Sequence, residues 1–244
     1  MKVFRETFTV KSYETDMNAM LKPCSFMYHL QEMANMHAAS LGFGYDDLIE
    51  KGILWVLSRI HVKFYRMPEW REEVAMETWH KGSEKLFGLR DYKMEDMAGN
   101  RLAEVTSSWL IIGTESRRLQ RIEQHLGNDH PSVNKVDIIS EPAPKLTSPE
   151  NMTLSKSRRV EYSDMDLNLH TNNTRYLEWA IDAVDQEMVK EIFINEIIIN
   201  FNSESRMGEE IDIYTSLSAD TIFVEARREE TSVAQIQLGY QKRH

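Results

Sequence analysis

The chain is short of the residues that most readily announce a chemistry. One cysteine, Cys24, stands among 244 residues, which excludes an internal disulfide and a cysteine-built zinc site. Ten glycines are scattered, with no Gly-x-Gly-x-x-Gly cluster, no phosphate loop and no metal-ligand spacing. Neither a metal nor an organic cofactor is expected. No apolar run reaches the roughly 18 residues of a membrane span; stretches such as Trp109-Leu110-Ile111-Ile112 are strand-sized. Positive charge is in deficit, 29 Lys and Arg against 39 Asp and Glu, for a net charge of -10. That sign argues against a general nucleic-acid binder, whose affinity comes from neutralising phosphates. The opening stretch, MKVFRETFTVKSYETD, has charges where a secretory signal would be apolar, so a cytoplasmic protein is expected.

What is present reads as an ordinary globular chain, 41% hydrophobic and 28% charged, with enough apolar material for a core. Residues 3–14 alternate as a strand does. Phe26, Met27, Leu30, Met33, Ala34 and Met36-His37 recur at helical spacing over 24–41, and Gly42 follows as a C-terminal cap. His29 and His37 are expected as satisfied polar residues at that helix's margin. Strand-like runs occupy 53–66, 73–81, 86–95 and 101–112. Four of the six prolines (Pro131, Pro142, Pro144 and Pro149) fall within 125–157, which has no clear period and reads as a linker. The pattern then restarts, with a strand at 158–163, a helix at about 172–189, and strands near 194–203, 209–217, 221–229 and 232–240.

The restart is an internal repeat. Asp16 is followed twelve residues later by Tyr28, and Asp164 twelve residues later by Tyr176, an offset of 148. Ile60-His61-Val62-Lys63-Phe64 matches Ile197-Ile198-Ile199-Asn200-Phe201 at an offset of 137. Each half is one long helix followed by an antiparallel meander, and one amphipathic helix needs a sheet to wrap it. The expected organisation is an N-terminal module over 1–124, a linker over 125–157 and a C-terminal module over 158–244. Laid edge to edge, the two sheets would cover strands that otherwise stay unpaired.

The copies differ where chemistry is concentrated. In the 148 register Asn18, Met20 and Lys22 correspond to Asp166, Asn168 and His170. A strand-to-helix turn with carboxylate, amide and imidazole at alternate positions aims all three to one side. Each also has a plainer use: Asp166 and Asn168 as turn residues, Asn172 and Asn173 as helix caps. Glu204 follows the Ile-rich strand, aligned with Met67. It is a strand-end charge, or, if it faces the His170 turn, a base or water-orienting group.

Asn168-x-His170-x-Asn172-Asn173-x-x-Tyr176-x-x-Trp179 resembles the signature of acyl-acyl-carrier-protein (acyl-ACP) thioesterases. Leu54–His61, Pro68-Glu69-Trp70, Glu77-Thr78-Trp79, Ser108-Trp109 and Arg117-Arg118-Leu119 also resemble family segments, so the likeness covers most of the chain. It implies an α+β fold of two tandem hotdogs, in which the second carries catalysis and the first holds the acyl chain. It implies hydrolysis of fatty acyl-ACP to free fatty acid and carrier protein. The family's catalytic Asp, Asn, His and Glu fall on Asp166, Asn168, His170 and Glu204. Plant members have a cysteine beside the Glu where this chain has Ser205, which favours attack by water or a carboxylate over a thiol. They also carry a transit peptide not seen here, as a bacterial-type cytosolic member would lack.

In this scheme His170 and Glu204 activate water, Asp166 orients His170 or attacks directly, and Asn168 donates to the oxyanion. Met27, Leu30, Met33, Ala34 and Met36 on the first helix, with Trp55, Leu57 and Trp79, are expected to line the acyl tunnel; methionines adapt to flexible chains. Ordinary core packing is the plainer role for each. The carrier protein is acidic, so docking falls to a local basic cluster, either Arg117, Arg118 and Arg121 or Lys156, Arg158 and Arg159. An acyl-CoA thioesterase of the same fold and a non-catalytic acyl-binding module are the competing readings. Oligomeric state is left open, a homodimer included.

Overall fold

The computed structural model describes residues 2–126 and 133–243. Pro131, counted above in the linker, lies outside the described residues. The chain forms two compact units, Met1–Ala143 and Pro144–His244, which divide inside the segment read as the linker.

The first unit comprises β1 (Phe4–Thr9), α1 (Pro23–Ser40), α2 (Tyr45–Ile49), β2 (Ile53–Phe64), β3 (Glu73–Glu84), β4 (Phe87–Asp96), β5 (Arg101–Gly113), β6 (Leu119–Gln120) and α3 (Ile122–Leu126). Its strands are antiparallel in the order β1-β3-β4-β5-β2, with β6 added to β5. Pro23 opens α1, where its missing N–H costs nothing, and Gly42 follows the helix at φ 78, a conformation glycine adopts without strain. The helix buries Phe26, Met27, Leu30, Met33, Ala34, His37 and Ala38. It meets β2 through the Phe26–Phe64 edge contact (5.1 Å) and β1 through Phe8 stacked on His29 (3.9 Å). His29 is half-buried and bonded to Glu14 at 2.8 Å. His37 corrects the expectation of a marginal position: it is fully buried.

The second unit comprises β7 (Thr153–Arg159), α4 (Asn173–Asp182), α5 (Gln186–Glu191), β8 (Ile192–Phe201), β9 (Glu210–Leu217), β10 (Thr221–Arg228) and β11 (Thr231–Lys242). Its strand order, β7-β9-β10-β11-β8, repeats that of the first unit element for element. The expected helix over 172–189 is two helices. α4 ends at Asp182, and Asp185 accepts from Glu187 and Met188 amides to cap α5 as a new helix. The strand expected at 158–163 lies earlier, because β7 pairs with β9 from Thr153 onward and a 3-10 turn begins at Tyr162.

The connecting segment is bound at both ends. Residues 134–139 lie on the first unit: Trp79 Nε1 donates to the Val136 carbonyl (2.9 Å), and the Ile138 amide donates to Asp91 (2.9 Å). Lys81 bridges Asp91 (3.1 Å), Asp137 (2.8 Å) and the Ile139 carbonyl (3.1 Å). Buried Asn200 holds Leu146 and Pro144 in the second unit, accepting at 2.8 Å and donating at 2.9 Å. Among the described residues no helix is long and apolar enough to cross a membrane.

Candidate active site

The turn before α4 is built around Asp166. Its Oδ1 accepts from the amides of Asn168 (2.8 Å) and His170 (3.3 Å), and its own amide donates to the His170 carbonyl (2.8 Å). The turn before α1 has the same bonds: Asp16 Oδ1 accepts from Asn18 (2.8 Å) and Met20 (3.0 Å), and its amide donates to Met20 (2.8 Å). Leu169 and Ala19 take the same left-handed conformation, φ 61 and 60. The repeat register at this turn is therefore 150 residues, not the 148 expected from sequence. The correction changes the comparison. Asp166 and Asn168 have counterparts in Asp16 and Asn18, and what distinguishes the second copy is His170 in place of Met20.

The 137 offset holds at the other side of the site. Thr171 N donates to the Ser205 carbonyl as Leu21 N donates to the Pro68 carbonyl, both at 2.9 Å. Glu204 thus stands where the first unit has Met67. The two replacements form a pair: His170 Nε2 lies 3.0 Å from Glu204 Oε2, both side chains partly exposed.

Sequence reasoning missed the residues that hold this pair together. Ser205, fully buried, bonds Thr171 Oγ1 (2.6 Å) and Tyr176 OH (2.7 Å), and Thr171 Oγ1 reaches the Ser205 carbonyl (3.2 Å). Each hydroxyl can donate once along the chain Tyr176, Ser205, Thr171, Ser205 carbonyl, so none is left unsatisfied. Burial pushes the Tyr176 phenol up and keeps it a donor. The chain ties the residue after His170 to the residue after Glu204. A buried Ser205 engaged on both sides has a structural use. Arg228 secures the same loop, donating to the Glu204 carbonyl (3.0 Å) and to Glu209 (2.8 Å). Burial opposes the Glu209 charge, but Arg228 and the Arg206 amide outweigh it and hold the carboxyl below its usual range. The only signals in the sequence were the polar side chains beside His170 and Glu204.

Leu169 is exposed, so its left-handed backbone is stabilised by the turn rather than by packing. The left-handed region costs a non-glycine residue about 1–2 kcal/mol. Leu169→Gly is expected to unfold at a denaturant concentration no lower than the parent. Leu169→Val, β-branched and crowded there, is expected to lose about 1 kcal/mol or more.

The other expected site residues are distributed as follows. Met27, Leu30, Met33, Ala34, Leu57 and Trp79 are buried in the first unit; Trp55 is half-buried and donates to the Phe43 carbonyl (3.2 Å). Met36 faces away from that core, 44% exposed. Arg117, Arg118, Arg121, Lys156 and Arg159 are exposed. Arg158 is half-buried, its guanidinium 4.4 Å over the Trp179 ring, and Lys156 bonds the Asp182 carbonyl. Exposed Tyr162, Leu167, Leu169 and Met207 lie on the loops that carry the His–Glu pair.

Residues 1–129 match the acyl-ACP thioesterase N-terminal domain, and residues 147–243 match the C-terminal domain. Oleoyl-acyl carrier protein thioesterase 2 of Arabidopsis thaliana is 27% identical over 235 residues, 87% of this chain and 62% of its own length. Dodecanoyl-[acyl-carrier-protein] hydrolase of Cinnamomum camphora is 27% identical over 230 residues, 88% of this chain and 60% of its own. The chain thus spans about three fifths of these chloroplastic relatives. The crystal structure of an acyl-ACP thioesterase from Bacteroides thetaiotaomicron superposes with a TM-score of 0.88 at 25% identity, covering 98% of both chains. The 12:0-ACP thioesterase of Umbellularia californica superposes with a TM-score of 0.86 at 24% identity, covering 100% of this chain and 98% of that one. The fold is the α+β double hotdog expected from the sequence.

Proposed function

Because the chain belongs to the acyl-ACP thioesterase family, we propose that it hydrolyses fatty acyl-ACP to free fatty acid and carrier protein, ending chain elongation. The observation that carries this reading is the His170–Glu204 contact of 3.0 Å, present where the first unit has two methionines. The pair takes a proton from water as the water oxygen attacks the thioester carbonyl. The C–S bond then breaks, and the proton passes to the departing carrier-protein thiolate. Asp166 positions His170 through the backbone of the turn. Asn168, half-buried on the same turn, donates to the developing oxyanion, where one fixed donor is worth about 3 kcal/mol. The catalytic set belongs to the second hotdog, within the unit Pro144–His244. The buried methionine-rich face of α1 in the first hotdog holds the acyl chain. A lone, buried Cys24 suits a reducing cytoplasm.

The reaction is tested by comparing acyl-ACP and acyl-CoA of equal chain length across a length series. Faster turnover of acyl-ACP is expected. Equal or faster turnover of acyl-CoA overturns the carrier-protein assignment, and no turnover of either overturns the enzyme.

Either exposed Arg117, Arg118 and Arg121, or exposed Lys156 and Arg159 with half-buried Arg158, supply the positive surface that an acidic carrier protein needs on a chain of net charge -10. Exposed charges are screened within about 10 Å at 0.1 M salt. KM for acyl-ACP is therefore expected to rise several-fold with added salt while kcat holds. A KM indifferent to salt removes the basic surface from the reading.

A further inference from the structure

The interior of the first unit contains a charge that the hydrolytic step does not use. Arg90 on β4 is only 6% exposed, and among the described residues no carboxylate forms an ion pair with it. Its Nη1 donates to His37 Nδ1 (2.9 Å) and to Thr78 Oγ1 (3.1 Å). A guanidinium has only donors, so Nδ1 of His37 accepts and the ring is neutral, its proton on Nε2. Both contacts are therefore to neutral groups. Cross-strand register pairs Arg90 with His80 and Ser107, and Thr78 with Tyr92, which sets these side chains on one face of the sheet. His37 meets that face from α1.

A buried arginine whose only side-chain partners are neutral groups is costly to hold in the core. Its position gives the cost a use. On α1, His37 lies one turn beyond Met33 and Ala34 and two turns beyond Leu30, all buried on the same face. Met27, Leu30, Met33 and Ala34 form an apolar row along α1 that leads to His37 and, through its Nδ1, to the guanidinium. We propose that Arg90, supported by His37 and Thr78, is a specificity-determining polar stop for the acyl chain. It rejects a methyl-ended chain long enough to reach it and accepts one bearing an oxygen at that end. The inference rests on the thioesterase reading above. A methyl group against the guanidinium displaces its acceptors and supplies none, whereas a terminal hydroxyl accepts an N–H. Sites built around a hydrogen bond discriminate against analogues that lack it far better than apolar pockets discriminate by size.

The test uses the full chain and a series of acyl-ACPs of increasing length, each methyl-ended or carrying a terminal hydroxyl. In the parent, kcat/KM for methyl-ended chains is expected to fall about tenfold or more at one length. At that length the terminally hydroxylated chain is expected to be hydrolysed about fivefold faster or better. Arg90→Met is expected to move the fall to longer methyl-ended chains and to abolish the hydroxyl preference. A length profile unmoved in a folded Arg90→Met protein overturns the stop. So does a parent that shows no preference for the hydroxylated chain, a comparison that needs no variant to fold. Turnover with an unmoved profile is failure of the stop alone; no turnover of any acyl-ACP overturns the thioesterase reading and the stop together.

Discussion

Replacing His170 with alanine is expected to lower kcat for acyl-ACP hydrolysis by about a hundred- to ten-thousand-fold, the range supplied by a positioned acid–base group. Glu204→Gln keeps the side-chain shape and removes the charge 3.0 Å from His170 Nε2, and a loss of the same order is expected. For two side chains proposed to act as one unit, His170→Ala combined with Glu204→Gln is expected to be hardly slower than His170→Ala alone. Multiplicative losses would mean that they work independently. Asp166 separates two mechanisms. Its Oδ1 is occupied by the amides of Asn168 and His170, a task that Asp16 performs in the first unit with no histidine beside it. Asp166→Asn keeps that acceptor and is expected to retain more activity than Asp166→Ala, which loses the turn as well. Equal inactivity of the two variants, with folding intact, would favour direct attack by the carboxylate. Steady-state kinetics alongside thermal unfolding checks each variant.

Lys81→Met is expected to destabilise the first unit by about 3–5 kcal/mol, the cost of leaving a buried charge without its partner. Lys81 and Asp91 are 6% and 0% exposed at the side chain and 3.1 Å apart. Burial already pushes the Asp91 carboxyl up, against the Ile138 amide and Lys81. The variant removes one of the groups that oppose this rise, so the carboxyl rises further. The folded-state pKa then lies above the unfolded value, the reverse of a salt-bridged aspartate. Ionised Asp91 costs stability at neutral pH, and the penalty shrinks as pH falls toward the folded-state value. Denaturant unfolding is expected to show a large deficit for the variant at pH 7 and a smaller one near pH 5. Asp91→Asn in the Lys81→Met background is expected to recover most of it at pH 7. A deficit independent of pH would mean that Lys81 acts through packing and the Asp137 and Ile139 contacts instead.

The larger elements were readable because their periods are long and their ends are marked. Residues 24–41 carry eight buried positions between a proline and a glycine, and the helix occupies Pro23–Ser40. The second-unit helix was read too long. Three residues, Ala183 to Asp185, suffice to end one helix and cap another, and their composition does not break the apolar period. The repeat was legible and its register was not. Asp164-Met165-Asp166 offers two aspartates to match with Asp16, and identity favoured the wrong one by two residues. Only the hydrogen bonds distinguish them: Asp166 caps the turn as Asp16 does, while Asp164 accepts from Glu161 as Glu14 accepts from Lys11.

By itself the sequence determined the duplicated helix-and-meander plan, the family, and the residue types from which a hydrolytic site is made. These are local properties, written in spacing and in side-chain chemistry. Tertiary structure decided which of those residues meet. His170 and Glu204 are separated by 34 positions and become a pair because Thr171, Ser205 and Tyr176 tie the turn to the strand end. It also decided that Arg90 and His37, unremarkable 53 residues apart, face each other in the core of the first unit. Such pairings depend on cross-strand register and helix placement, and a shift of one residue would turn each side chain to the opposite face of its sheet.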